Sequence, residues 1–189
     1  MFNIKINDFV NDITTDLDNK ISKLTNVPNY DPSVNIDINV NTNNTLKGVI
    51  FCHGHKHKDP QIPVEIKAKG VEWTLVDISD KAEPDLVGGY DSWNTFLKLG
   101  LRSYDYVLSQ YCPIGGESIY SIMFIRNMRW LLKNGGSLVI IPGSLISRNS
   151  KISEKILDII IYKYGYTKYI QSIKRFNRGG SVEIIADNE

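Results

Sequence analysis

Between Lys47 and Ala186 the chain alternates short apolar runs with helical segments, and this alternation constrains the fold more than any other feature. Gly48–Cys52, Trp73–Ile78, Tyr104–Ser109 and Ser137–Ile141 are brief, nearly continuous apolar stretches bounded by polar or turn residues. Such runs suit strands buried on both faces. Asp85–Gly88 predicts a further, very short strand. Between them, residues 92–101 predict one or two helical turns, and Glu117–Lys133 and Ile152–Tyr162 predict helices with apolar positions at helical spacing. Asn134-Gly135-Gly136 is expected to close the long helix with a glycine C-cap. Tyr166–Phe176 and Ser181–Ile185 flank Asn177–Gly180 and predict a hairpin. Parallel strands need crossover helices, so the expected fold class is α/β, with a mostly parallel sheet and an antiparallel C-terminal hairpin.

Residues 1–45 read differently from residues 46–189. Phe9, Val10, Ile13, Leu17, Ile21 and Leu24 recur at helical spacing over about 8–25, with Asn7 or Asp8 as the cap. Pro28 and Pro32 break that pattern, and Val34, Ile36, Ile38 and Val40 then alternate with polar residues as a strand or extended arm. The expected organisation is an N-terminal appendage on one domain, whose core 189 residues with 42% hydrophobic content can supply. A net charge of +1 gives no electrostatic argument for nucleic acid or an anionic membrane. No apolar run reaches the ~18 residues of a membrane span, and Met1–Lys5 does not open a signal peptide. With two cysteines and no disulfide framework, the expectation is a cytoplasmic protein with free thiols.

Four stretches, in order, carry a resemblance. Leu75-Val-Asp-Ile-Ser79, Glu83-Pro-Asp-Leu-Val-Gly-Gly89, Tyr104-Asp-Tyr-Val-Leu-Ser-Gln110 and Arg129–Ile140 (RWLLKNGGSLVI) resemble strand two, strand three, strand four and the approach to strand five of class I S-adenosylmethionine-dependent methyltransferases. The resemblance spans residues 47–186 and implies a Rossmann-like methyltransferase sheet that binds S-adenosylmethionine. It implies a cofactor site at His53, Gly54, Asp77, Ile78, Gly89, Gln110 and Tyr111, with Asp77 on the ribose hydroxyls. His53 or His55 is the candidate general base, by residue type and location. The methyl acceptor is unknown.

The departures are as specific. The family's first strand leads into an acidic, glycine-rich loop, where backbone amides approach the cofactor. Here Phe51-Cys-His-Gly-His-Lys-His-Lys-Asp-Pro60 keeps only Gly54, and Pro60 and Pro63 interrupt the first helix. Gly89 stands where an acid is expected after strand three, with Asp91 two residues on. These departures motivate an alternative: a catalytically inactive methyltransferase-like domain that binds a protein or nucleic-acid partner.

His53, His55 and His57 are the chain's only histidines and would face one way if extended. They read as a metal site, as a polar loop, or as a remodelled cofactor or substrate loop; the lack of further histidines weighs against metal, and no metal ligand is assigned. The string VIFCHGH also looks like an α/β-hydrolase oxyanion strand, but no Gly-x-Ser-x-Gly elbow and no later histidine accompany it. Asp77 serves equally as a ribose acceptor or as a turn cap for the Ser79 and Lys81 amides. Cys52 and Cys112 end neighbouring strands and read as core thiols. Gly115–Ser118 reads as a turn and N-cap or a substrate contact, and Tyr90, Trp93, Tyr111 and Tyr120 as core or pocket wall. Lys168, Lys174, Arg175 and Arg178 read as a solvated face or a nucleic-acid contact.

Overall fold

The computed structural model describes residues 14–34, 45–110, 112, 118–141, 161–176 and 179–186. In chain order these form α1 (14–21), β1 (Lys47–Phe51), α2 (Val64–Lys67), β2 (Glu72–Asp77), a 3-10 turn (Asp80–Ala82), β3 (Leu86–Val87), α3 (Trp93–Leu99), β4 (Tyr104–Gln110), α4 (Ser118–Met128), β5 (Leu132–Ile141), the end of a helix α5 (161–163), β6 (Tyr166–Phe176) and β7 (Gly179–Ala186). The strand predicted over 34–40 and most of the helix predicted over 152–162 lie outside the described residues.

One seven-stranded sheet runs β3-β2-β1-β4-β5-β7-β6. β1 to β5 are parallel, and β7 is antiparallel to both β5 and β6, as the apolar runs and the terminal hairpin predict. Side-chain alternation along each strand divides the core in two. Val49, Phe51, Val107, Leu138 and Ile140 face α1, α3 and α4, whereas Ile50, Tyr106, Leu108, Val139 and Ile141 face α2. The first layer is far larger. Burying a Phe124 or an Ile125 there contributes about 1.5–3 kcal/mol each.

α4 is buried from Ile122 through Met128, polar residues included, because residues 22–34 lie across its outer side. Arg126 donates to the Val27 carbonyl (2.6 Å) and Asn29 Oδ1 (2.8 Å), and Trp130 Nε1 donates to the Pro28 carbonyl (2.9 Å). Tyr30 packs edge-on against Trp130 with the Arg129 guanidinium 4.3 Å from its ring centre. On α1, Ile21 is fully buried, and Asp18 accepts from Lys163 and Tyr164. Burial and the Asp18 carboxylate push the Tyr164 phenol well above its ordinary value.

The sequence places the end of the long helix wrongly. α4 stops at Met128, and Asn134-Gly135-Gly136 lies inside β5. The pairing with β4 slips between Tyr104 and Tyr106, and Gly135 takes up the irregularity at φ +71°. A Cβ on Gly136 would meet the carbonyls of Lys133 and Asp105 at 3.0 and 3.2 Å. Lys133 fixes the register by gripping Asp105 at 2.9 Å.

Candidate functional site

The chain steps outward from β1 to β2 and β3, then returns to the other side of β1 for β4 and β5. The strand order therefore reverses between β1 and β4, and open α/β sheets bind ligands at the carboxyl ends of strands at such a point. β1 leads toward α2 on one face, and the chain after β4 leads to α4 on the other. Open sheets of this order carry a crevice there, and here Cys52, His53, Asp77, Gly89 and Gln110 lie at or just beyond the carboxyl ends of β1 to β4.

Cys52 and Cys112 are not free thiols: they form a disulfide, with Cα atoms 5.3 Å apart. Phe51 and Ser109 are register partners, so residues one and three positions beyond them are within bridging distance. Cys52 adopts φ +61°, in the left-handed region that favours glycine.

The histidine loop is a turn rather than an extended strand, so its three side chains do not share a face. The His53 amide extends the β1–β2 pairing by donating to the Val76 carbonyl (3.1 Å), and the His57 amide then closes a turn on the Gly54 carbonyl (3.0 Å). The amides of His55 and Lys56 donate to the carbonyls of Glu83 and Ala82, each at 3.1 Å, and that of Gly54 donates to His57 Nδ1 at 3.2 Å. All five amides from 53 to 57 are thus committed within the protein. A Cβ on Gly54 would overlap the Ala82 carbonyl, so the glycine serves the close approach of loop and turn.

His53 is buried, with its ring 5.2 Å from that of His57. Burial and the neighbouring His57 hold its pKa below the ordinary histidine value, against the opposing field of Asp77. His55 turns to the sheet margin and pairs with Asp85 at 3.0 Å. Asp85 also accepts the Leu75 amide (2.7 Å). Burial raises the Asp85 pKa, but this amide and His55 outweigh it and leave the carboxyl below its ordinary value. The two candidate bases therefore occupy separate places.

Asp77, Ile78 and Gly89 do come together. Asp77 Oδ1 caps the Ser79 amide at 2.8 Å, and the Gly88 amide donates to the Asp77 carbonyl at 2.8 Å. Among the described residues nothing takes the other carboxylate oxygen. Ile78 is 76% exposed, and a Cβ on Gly89 would stand 3.6 Å from it. The Asp91 carboxylate lies directly over Gly89, two residues after the position where the resemblance implies an acid. Asp91 is held from behind, its carbonyl accepting from Thr25 Oγ1 and the Asn26 amide. On the far side of the crevice, buried Gln110 accepts the Gln61 amide (3.1 Å), and Gln61 Oε1 is buried without a hydrogen-bond partner among the described residues. Spacing alone gave no signal for Gln61; for Asp91 the signal was its distance of two residues from Gly89.

Tyr90 and Trp93 pack on the core, edge-on to Phe124 and Trp130. Tyr120 also lies against it. Tyr111 and residues 115–117 lie outside the described residues, as do the side chains of the basic cluster at 168–178. Among the described residues no group of three His, Cys, Asp or Glu is placed to hold a metal ion, and no helix is long and apolar enough to cross a membrane.

No family model and no curated protein matches the chain. Among solved structures, it resembles CalS10, a S-adenosylmethionine-bound amino pentose methyltransferase from Micromonospora echinaspora, over 76% of this chain and 84% of that one, with 11% identity and a TM-score of 0.51. It resembles the CurJ carbon methyltransferase over 76% of this chain at 11% identity and a TM-score of 0.50, spanning about half (49%) of that chain. At such identity the likeness is one of fold: the chain has a class I methyltransferase-like α/β fold.

Proposed function

We propose that the protein is a S-adenosylmethionine-dependent methyltransferase whose acceptor is not yet defined. The observation that carries the reading is the joint placement of Asp77, Ile78 and Gly89, under Asp91, at the carboxyl edge beside the reversal of strand order. An open carboxylate oxygen suits a pair of ribose hydroxyls, the exposed Ile78 suits the face of a purine, and the orphaned Gln61 carbonyl suits a cationic or amide donor. When bound, the cofactor supplies an electrophilic methyl group. The chain's own part is to orient the two reactants and exclude water. His53, kept neutral by burial, is the candidate to take a proton from the acceptor. A cytoplasmic setting goes with this reading.

Isothermal titration with S-adenosylmethionine and S-adenosylhomocysteine, run with and without a thiol reductant, tests it. Asp77→Asn retains an oxygen for the Ser79 amide and removes the carboxylate. Micromolar binding that weakens at least 10-fold in this variant is expected. Absence of binding up to millimolar ligand in both redox states overturns the proposal.

One set of observations favours a second reading, an inactive domain that binds a protein or nucleic acid. The five committed loop amides, the four-residue α2 and the bridge at the crevice leave little of the usual cofactor cradle. The same titration separates the two.

A further inference from the structure

We propose that the Cys52–Cys112 disulfide is a redox latch on the loop after β1, at the ligand crevice: oxidation holds the loop in its inward-turned form and reduction frees it to receive the methyl donor. The inference rests on the methyltransferase reading above and concerns the regulation of that site.

The geometry of the sheet carries it. Open sheets carry a crevice at the reversal of strand order, and here α2 and α4, the helices that follow β1 and β4, lie on opposite faces. The disulfide joins Cys52, the first residue after β1, to Cys112, the second after β4, and so ties the loop after β1 to the neighbouring strand at that point. No other pair of described residues is covalently joined there.

Three further observations agree. Cys52 is held at φ +61°, a conformation that disfavours a residue with a Cβ, so freeing it lets the backbone relax. The loop that follows has all five amides from His53 to His57 turned inward, and a ligand that needs any of them requires the loop to rearrange. Cys52 is only partly buried, whereas Cys112 is 8% exposed, so an incoming thiolate reaches the Cys52 sulfur first.

The chemistry is thiol–disulfide exchange with a low-molecular-weight thiol. Its thiolate attacks Cys52 Sγ, the bond between the two cysteines breaks, and the electron pair and then a proton go to Cys112. A second thiol displaces Cys52 from the mixed disulfide. The protein gains two thiols and two external thiols become one disulfide.

The test uses the full chain and S-adenosylhomocysteine as the probe. Affinity is measured by titration for the oxidised protein, the same sample reduced with dithiothreitol, and Cys52→Ser/Cys112→Ser. Amide exchange over residues 53–62 is followed in parallel, and reoxidation of the reduced sample controls for misfolding of the variant. At least 10-fold tighter binding after reduction, matched by a variant indifferent to reductant, is expected. Equal affinity in the two states, or tighter binding when oxidised, overturns the latch. If neither state binds, the methyltransferase reading fails, and exchange decides the latch alone. Faster exchange at His53, His55 and Lys56 on reduction sustains a moving loop, and unchanged exchange overturns it.

Discussion

Arg126 is fully inside the protein and, among the described residues, hydrogen-bonds only to neutral oxygens, so its replacement is expected to be severe. Its guanidinium donates to the Val27 carbonyl at 2.6 Å, Asn29 Oδ1 at 2.8 Å and Asn127 Oδ1 at 3.1 Å, and the residue is 1% exposed. Burial pulls its pKa below the ordinary arginine value. In Arg126→Met the methionine fills much of the volume, but the Val27, Asn29 and Asn127 oxygens lose their donor. Each orphaned acceptor costs about 1–3 kcal/mol, so three cost about 3–9. Relief of the buried charge returns part of this, which leaves an expected loss of about 2–4 kcal/mol. Urea unfolding measures it, with Lys20→Met as the control. Lys20 sits in an exposed pair with Asp16, where a loss of under about 0.5 kcal/mol is expected. The variant also loosens the segment that holds Asp91 and the start of α3, where Asn26 Oδ1 accepts the Trp93 amide at 2.6 Å. Losses that are equal in the two variants, or below about 1 kcal/mol for Arg126→Met, refute the claim that these bonds fasten the N-terminal segment to the domain.

Two more perturbations follow from the site. His53 has a folded pKa below its unfolded value, so between the two the unfolded chain binds the extra proton. Stability should be complete above pH about 6.5 and fall as acid is added, by at most ~1.4 kcal/mol per pH unit, and His53→Gln should flatten that slope in urea titrations at pH 5 and 7. The disulfide closes a loop with a sequence separation of 60, for which chain entropy gives about 4 kcal/mol at 25 °C. Reduction should therefore lower the Tm by about 10 °C in a calorimetric scan, and a fall under about 2 °C would contradict a formed bond in the native state.

The sheet was legible because its strands are short, apolar and separated by helix-period segments, a pattern dictated by burial on both faces. What failed was local signal that two structures share. Asn134-Gly135-Gly136 satisfies a helix C-cap and a strand irregularity equally well, and the choice is made by Lys133 reaching Asp105, 28 residues away. Arg126 and Arg129 fall within the helix predicted over 117–133, yet their partners are carbonyls of Val27, Gly165 and Leu132 that no spacing rule connects to them. The three histidines would share a face only in an extended chain, and the contact of Gly54 with Ala82 bends it.

The sequence reads the disulfide as free thiols and leaves the histidine loop among three readings, for related reasons. The proximity of Cys52 and Cys112 was visible from strand order, but two cysteines make no disulfide framework and argue for thiols on composition alone. In the family the resemblance points to, the loop after strand one is rich in glycine so that bare backbone faces the ligand. Here side chains stand there and the amides turn to Val76, Ala82, Glu83, Gly54 and His57. A loop so committed can bind an anionic group only after exchanging those partners. Such exchange needs a conformational freedom that a covalent tie at Cys52 withholds. On the redox-latch proposal the inward-turned amides and the bridge act together: in the oxidised state the loop after β1 is held as part of the fold. Reduction is consequently the condition under which binding to this protein is to be measured, and oxidised protein that binds S-adenosylhomocysteine with all five loop amides still protected from exchange would refute this link.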